Sequence, residues 1–447
     1  MIQFHCCESL KKLVGEKPPP LLRGSPHVSP VVLSQHRALS PHSLEFFNQN
    51  SRSAYISDVV SAMNSAQSQP SPQAEDDQST QTLVDPDLQR AAYFYHLPPE
   101  RIAQNPVSPR DAARLMVVSN PIDHQNRYFW ELPELLKPED LLVLNDTRVI
   151  PARLYGRKPE GAQVEILLLE EQAHQVWSAL EKPGRRLKPG TTIHFGGTPD
   201  APEMNAQVRS TDMATHGRIL HFEIPSGQPF ETVLTQLGTV PLPPYITQTQ
   251  ADADRYQTVY AEHMGAIAAP TAGLHFTPEL FERLAAGQIN CARITLHVGV
   301  GTFRPVEADT ITHHAMHGEW LHVSQQTVDQ IRATKAKGGR VIAVGTTVTR
   351  ALEGAAQSGE LKPMRGKTNL FIYPGYRWRV IDGLITNFHL PESSLLMLVS
   401  ALIGRQRLMA LYQAAIAADY RFYSFGDAML ILPEARTAPS PAYAVQY

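Results

Sequence analysis

Leu141-Leu142-Val143-Leu144-Asn145-Asp146-Thr147-Arg148 decides the fold. Four consecutive apolar residues, without the alternation of a half-exposed strand, describe a strand buried on both faces, as in the sheets of α/β proteins. The run stops in four polar residues at the strand's carboxyl end, where open α/β sheets place their ligands. A turn in which Asp146 bonds its own backbone accounts for those residues equally well on its own.

Downstream the texture changes. Ala152–Tyr155, Val164–Leu169, Val176–Leu180, Thr192–Phe195, Ala206–Arg209 and Ile219–Ile224 are short β-rich segments separated by Gly, Pro or Asp clusters. That pattern predicts a small antiparallel barrel or sandwich. The α/β texture returns after Pro241-Leu242-Pro243-Pro244-Tyr245, so the β-rich part is an insert. The expected organisation is an α/β domain over 85–150 and 241–435, an inserted all-β domain over 151–240, and a flexible tail over 436–447. Residues 1–84 are rich in Ser, Pro, Gln and Asn and have no sustained period. Such a segment buries too little to offset its ordering entropy, which predicts disorder. Met63, shortly before the ordered part, is a candidate for the true start.

Gly265-Ala266-Ile267-Ala268-Ala269-Pro270-Thr271-Ala272-Gly273-Leu274-His275-Phe276 is small and apolar enough for close backbone approach. Thr277-Pro278-Glu279 then marks a helix start, by cap, preset φ and dipole complement. His275, two residues before it, is expected to be neutral, because the helix dipole opposes imidazolium. Arg293–Val298 alternates and places His297 opposite Ile294, Leu296 and Val298; Gly299 and Gly301 open the turn that carries Thr302. Strand Arg340–Val344 runs into Gly345-Thr346-Thr347 and a helix, a geometry able to hold an anion on backbone N–H. It lacks the spacing of a P-loop or a dinucleotide fingerprint. Thr386-Asn387-Phe388-His389-Leu390-Pro391-Glu392-Ser393 enters the helix Leu395–Ile403, a second polar cluster at a helix start. Asn369–Tyr373 and Trp378–Ile381, on either side of Pro374-Gly375, are expected to be a strand pair or a strand and bend, and Ala428–Leu432 a closing strand.

Composition bounds the function. A chain of 447 residues with 43% hydrophobic and 19% charged content fits a globular enzyme of two or three domains. The net charge of −3 exerts no global pull on nucleic acid, so contact with RNA needs a local patch. Arg153, Arg157, Lys158, Lys182, Arg185, Arg186 and Lys188 supply one in the insert, either a solvated face or a phosphate-binding one. Three cysteines without a CxxC pair fit a reducing, cytoplasmic setting. No apolar run approaches the roughly 18 residues of a membrane span. His313, His314 and His317 suggest a rival: His313 and His317 have the i, i+4 spacing of a zinc pair, with Glu319 as a possible third ligand. A metal-dependent hydrolase and an RNA-binding module without chemistry are therefore the alternatives.

Taken in order, Asn145–Arg153, Pro241–Tyr245, Gly265–Phe276, Thr295–Phe303, Val344–Arg350, Thr386–Ser393 and Tyr420–Met429 resemble the S-adenosylmethionine:tRNA ribosyltransferase-isomerases of queuosine biosynthesis. The resemblance runs from about Asp85 to Leu432. Asp146, often Asn in the family, and Glu262-His263-Met264, in place of Glu-Lys-Pro, are departures from its pattern. The resemblance implies a three-layer α/β domain interrupted by a β-barrel. It implies transfer and isomerisation of the ribosyl group of S-adenosylmethionine onto 7-aminomethyl-7-deazaguanine at the wobble position of a tRNA, giving epoxyqueuosine, adenine and methionine. S-adenosylmethionine is then a cosubstrate, with no prosthetic group, no metal, no membrane and a monomeric enzyme. The chemistry needs a base for the C5′ proton that the sulfonium acidifies, and an acid for the departing adenine. His275 and His389 are the first candidates, His297 and Glu392 the next. Thr271, Thr346 and Thr347, with Pro270, Gly273, Gly299, Gly301, Thr302, Gly345, Asn387 and Phe388, are the candidates for substrate binding. Arg148, Arg153, Arg185, Arg186 and Lys188 are those for tRNA phosphate.

Overall fold

The structure, a computed structural model, describes residues 85–437 apart from 184–186, 199, 300 and 302–305. The expectations for residues 1–84, Met63, Arg185, Arg186, Thr302 and the last ten residues fall outside the described residues.

The apolar run that opens the argument is a strand, buried at every residue. In chain order the body supplies β1 (Arg114–Val118), β2 (Gln125–Tyr128), β3 (Leu141–Asn145) and β4 (Thr147–Val149). The insert supplies β5 (Arg153–Arg157), β6 (Gln163–Ala173), β7 (Val176–Lys182), β8 (Thr192–Phe195), β9 (Met204–Thr211) and β10 (Arg218–Glu223). The body then resumes with β11 (His263–Ala266), β12 (Asn290–Leu296), β13 (Glu319–Val323), β14 (Val341–Val344), β15 (Met364–Thr368), β16 (Gly383–Asn387) and β17 (Ala428–Ile431). Nine strands form one sheet in the order β15-β13-β12-β3-β14-β16-β17-β1-β2. Its centre, β12-β3-β14-β16, is parallel, and antiparallel pairs flank it.

Alternation along β3 shows why the run is continuous. Leu141 and Val143 join one hydrophobic cluster, Leu142 and Leu144 another, on the opposite face of the sheet. The first face is covered by α2 (Gln325–Ala336), α3 (Thr346–Ala355), α4 (Ser394–Ile403) and α5 (Arg405–Ala417), through Val328, Val348, Leu396 and Leu411 among others. The second is covered by α1 (Pro278–Ala286), through Leu280 and Leu284, and by Phe129 and Leu132. Three layers result, as expected. The helix starts follow the sequence signals: Thr277 caps α1, Ser324 caps α2 and Ser393 caps α4, each side-chain oxygen accepting an N–H three residues on. No single helix among the described residues is long and apolar enough to cross a membrane.

The β-rich insert is a closed six-stranded barrel, β10-β7-β6-β5-β8-β9, with a strand at each of the six segments expected. Its core contains Leu154, Ile166, Phe195 and Phe222 and is extended by Phe230 and Val233 of the helix Phe230–Leu237. Ile267 of the body also joins it. The stretch that follows β11 in fact enters each of the four hydrophobic clusters among the described residues. Ile267 belongs to the barrel core, Ala268 and Ala272 to the two faces of the sheet, and Ala269 and Leu274 to a fourth cluster with Tyr256 and Phe425.

Two expectations are corrected. The segment 369–381 contains no strand; the strand precedes it, at Met364–Thr368. Buried Glu353 explains the segment's conformation: its carboxylate accepts from the N–H groups of Arg379, Val380 and Ile381 (each 3.0–3.1 Å) and from the Tyr376 hydroxyl. Those donors are consequently withheld from a ladder. Around His313 the chain makes only the short 3₁₀ turn Ile311–His313, then runs extended into β13. The helical i, i+4 face on which the metal argument for His313 and His317 rested does not form, and Glu319 is tied to Arg350.

Candidate active site

A cleft opens beside the carboxyl ends of β14 and β16, the place where open α/β sheets hold their ligands. Three turns that the sequence singled out converge on it: Ala269–Ala272, Gly345–Thr347 and Thr386–Leu390, with Val298, Ser393, Tyr245, Tyr423 and Ser424 completing the wall.

Each turn has a local cause. Gly345 has φ 97° and ψ 154°, a conformation open essentially to glycine. Its N–H donates to the Ile385 carbonyl (2.8 Å), which joins the start of α3 to β16. No side chain caps α3, so its first amide donors are free for an anion beside Thr346 and Thr347. Asn145 braces this corner from below: its side chain donates to the Leu296 carbonyl (2.9 Å) and Thr347 Oγ1 (3.4 Å), and accepts from Leu296 N–H (2.9 Å). The α4 start differs, because the Ser393 side chain already caps one of its amides, that of Leu396.

His389 lines the cleft, with Nε2 2.7 Å from Thr386 Oγ1. Its N–H donates to the Tyr412 hydroxyl (2.9 Å) and its carbonyl accepts from the Tyr95 hydroxyl. Burial lowers the imidazole pKa to about 3, so the ring is neutral at physiological pH. Asn387, Pro270 and Phe388 also line the cleft, and the Phe388 ring packs against Tyr412, Tyr420 and Phe422.

His275 lies behind the wall. Only 4% exposed, it borders a separate, very small pocket with Arg110 and Arg255, and its ring packs on Phe129. Burial, then the nearby Arg421 guanidinium, lower its pKa to about 3. Gly273 is packing too, since a Cβ there would meet the Tyr260 hydroxyl at 2.1 Å. Glu392 points elsewhere: its carboxylate pairs with Arg90 (3.2 Å).

His297 forms a second polar corner. Nδ1 is 2.8 Å from Thr147 Oγ1 and the ring stacks on Trp320, with centroids 4.8 Å apart. Gly265 fits against its other side, where a Cβ would lie 2.6 Å from Nε2. Burial and then His263 lower its pKa to about 4. Gly299 and Gly301 follow beyond Val298, with Gly301 against His317. Asp146, one of the departures from the family pattern, meets the other here. Its Oδ1 accepts from Thr295 (2.7 Å), and its Oδ2 lies 3.8 Å from His263 Nε2. Burial pushes the Asp146 carboxyl up. With Glu262 these two could hold a cation by spacing alone, but Glu262 is engaged by Arg293 (2.9 Å).

Of the basic residues, Arg148 is exposed, with one hydrogen bond to the Ala261 carbonyl (3.2 Å), and Lys188 is exposed. Arg153 is partly neutralised by Glu165 (3.5 Å). Tyr245, Tyr423 and Ser424 join the cleft wall without being among the residues expected there from sequence. The Tyr245 hydroxyl lies 2.8 Å from Ser424 Oγ and its ring 4.7 Å from that of Tyr423. Their only sequence signal was membership of two of the motifs that carry the resemblance.

A three-layer α/β body interrupted by a closed barrel, with a largely apolar cleft carrying a few polar groups at the ends of its parallel strands, belongs to the α/β class that binds ligands at that edge. The model of one family, described as queuosine biosynthesis protein, matches residues 90–431. A protein of Acaryochloris marina named S-adenosylmethionine:tRNA ribosyltransferase-isomerase is 63% identical over 358 residues, covering 79% of this chain and 96% of that one. One of the same name from Nostoc sp. is 61% identical over 372 residues, covering 78% and 93%. A crystal structure of S-adenosylmethionine tRNA ribosyltransferase from Thermotoga maritima is 38% identical and covers 77% of this chain and all of that one, with a TM-score of 0.44. The chain belongs to the queuosine biosynthesis family of S-adenosylmethionine:tRNA ribosyltransferase-isomerases.

Proposed function

We propose that this protein transfers and isomerises the ribosyl group of S-adenosylmethionine onto 7-aminomethyl-7-deazaguanine in the anticodon of a tRNA, with release of adenine and methionine. The observation that carries the reading is the convergence of Thr271, Gly345–Thr347 and Thr386–His389 on one cleft, in a chain of this family. The uncapped start of α3 suits the methionine carboxylate, through N–H groups and the Thr346 and Thr347 hydroxyls. His389 is neutral, borders the cleft and is oriented by Thr386, which suits it to move a proton at the reacting ribose. His297, outside the immediate wall, is the second proton carrier. Arg148, Arg153 and Lys188, with Arg185 and Arg186, contact tRNA phosphate. The enzyme acts in the cytoplasm as a monomer, with no prosthetic group.

The test is adenine release from S-adenosylmethionine with tRNA carrying the aminomethyl base. His389→Ala is expected to lower kcat by 10²–10⁴-fold, roughly the contribution of one general acid or base. A folded variant with the parental rate would remove His389 from the chemistry. No adenine release by the parental protein would remove the reading itself.

A further inference from the structure

Asn387 stands between the cleft and the smaller cavity behind it. Its Oδ1 accepts from Thr271 Oγ1 in the cleft wall (2.9 Å). Its Nδ2 lies 3.3 Å from His275 Nε2, 3.3 Å from the Tyr423 carbonyl and 3.5 Å from the Asp427 carbonyl. Backbone carbonyls only accept, so they fix which end of the amide is nitrogen without reference to the histidine. Nδ2 shares its two hydrogens among these three neighbours and offers no lone pair, so the hydrogen bond to His275 forms with Nε2 as the acceptor. The ring proton belongs on Nδ1, and the imidazole's remaining interaction is with the Arg110 backbone. At the other end, the Thr271 proton is committed to Asn387. The Thr271 oxygen is left to offer only lone pairs to the cleft.

We propose that His275 is a positioning residue: together with the Tyr423 and Asp427 carbonyls it anchors the Asn387 amide, which holds the Thr271 hydroxyl as a hydrogen-bond acceptor for a donor group of the bound nucleoside. The reading rests on the proposed function, since it is S-adenosylmethionine that brings such donors: its ammonium group, its ribose hydroxyls and the adenine amino group. Direct proton abstraction by His275 would require Nε2 to be free and in the cleft. It is instead engaged by Asn387, on a ring that borders the other cavity.

A glutamine at position 275 supplies both an acceptor and a donor but takes up no proton near neutral pH. His275→Leu is expected to raise the KM for S-adenosylmethionine about tenfold, the usual worth of one hydrogen bond, and His275→Gln to recover most of that loss. Thr271→Val should raise KM more than it lowers kcat, and Thr271→Ser should not. Analogues lacking in turn the ammonium, each ribose hydroxyl and the adenine amino group identify the donor: the one whose affinity no longer responds to Thr271→Val lacks the partner. Histidine 15N spectra of the folded protein between pH 6 and 8 should show His275 with Nε2 unprotonated and Nδ1 protonated. A His275→Gln variant as inactive as His275→Leu, or a proton on Nε2, would overturn the proposal. The spectrum needs no turnover, so it answers even if His275→Leu does not fold or the parental protein releases no adenine.

Discussion

His275 and His389 are both withheld from water and from opposite charge, and this makes them titration sensors of folding. Each has a pKa near 6.5 in an unfolded chain and about 3 in the folded one. Below pH 6.5 the unfolded state binds more protons, so stability is full above that pH and falls as the pH drops from 6.5 toward 3. At about 1.4 kcal/mol per pH unit for each group, the two together withdraw on the order of 4 kcal/mol between pH 6.5 and 5. Urea unfolding across that range measures it, and His275→Gln should roughly halve the slope. A stability independent of pH between 6.5 and 5 would show that neither ring is sealed. A neutral ring at His275 was expected from the helix start after it, but the cause in the structure is burial, for His275 and His389 alike. Which of them borders the cleft was not legible in the sequence, because the answer lies in how Asn387 and Tyr423, distant in sequence from His275, stack between the cavities.

Elements explain what can change around the cleft. Both α3 and α4 begin at its wall, but only α4 has a side-chain cap. Ser393→Ala should cost about 1 kcal/mol of stability, seen as a lower urea midpoint, with kcat retained. Gly345→Ala meets no crowded neighbour, its nearest contact being 3.5 Å away, yet φ 97° strains any other residue. It is expected to cost about 1–3 kcal/mol and to raise KM for S-adenosylmethionine as the turn shifts. An unchanged midpoint and KM would refute the role given to that backbone. Strand β3, the six barrel strands and the helix starts were all visible as periodicity and capping signals. The segment 369–381 was misjudged because its β-like composition serves a different partner, the carboxylate of Glu353. No local pattern announces a buried acid that collects three N–H groups from a loop in another part of the chain.

At the scale of the whole molecule, the barrel and the body share the stretch after β11. Ile267 is the body's contribution to the barrel core, and Ile267→Ala should destabilise by about 2–5 kcal/mol, with hydrogen exchange accelerated in both the barrel and the sheet if the two are coupled through it. Faster exchange confined to the barrel would show that they open independently. Lys367 on β15 also pairs with Glu170 on β6. For tRNA, replacing Arg148 and Lys188 with glutamine should weaken binding and flatten the dependence of log affinity on log salt by about 0.7–0.9 per lost phosphate contact. An unchanged slope would place the tRNA on another surface. The α/β sheet and the closed barrel could be read from texture, but the sharing of one stretch among four clusters could not, because small apolar residues such as Ala268, Ala269 and Ala272 look alike whichever core they enter.

The pairing of β1 with β17 matters for how the protein is made. Leu115 finds its neighbour at Ala428, and Val118 at Ile431. The barrel, contiguous from β5 to β10, can close as soon as it leaves the ribosome. By contrast, at roughly 5–20 residues per second, Leu115 waits about 15–60 s for its partner to be synthesised. For that interval an apolar strand edge lies open to other nascent chains. The yield of active protein should therefore respond to holdase chaperones during synthesis more strongly than its final stability suggests, a difference that cell-free translation with and without chaperone measures directly.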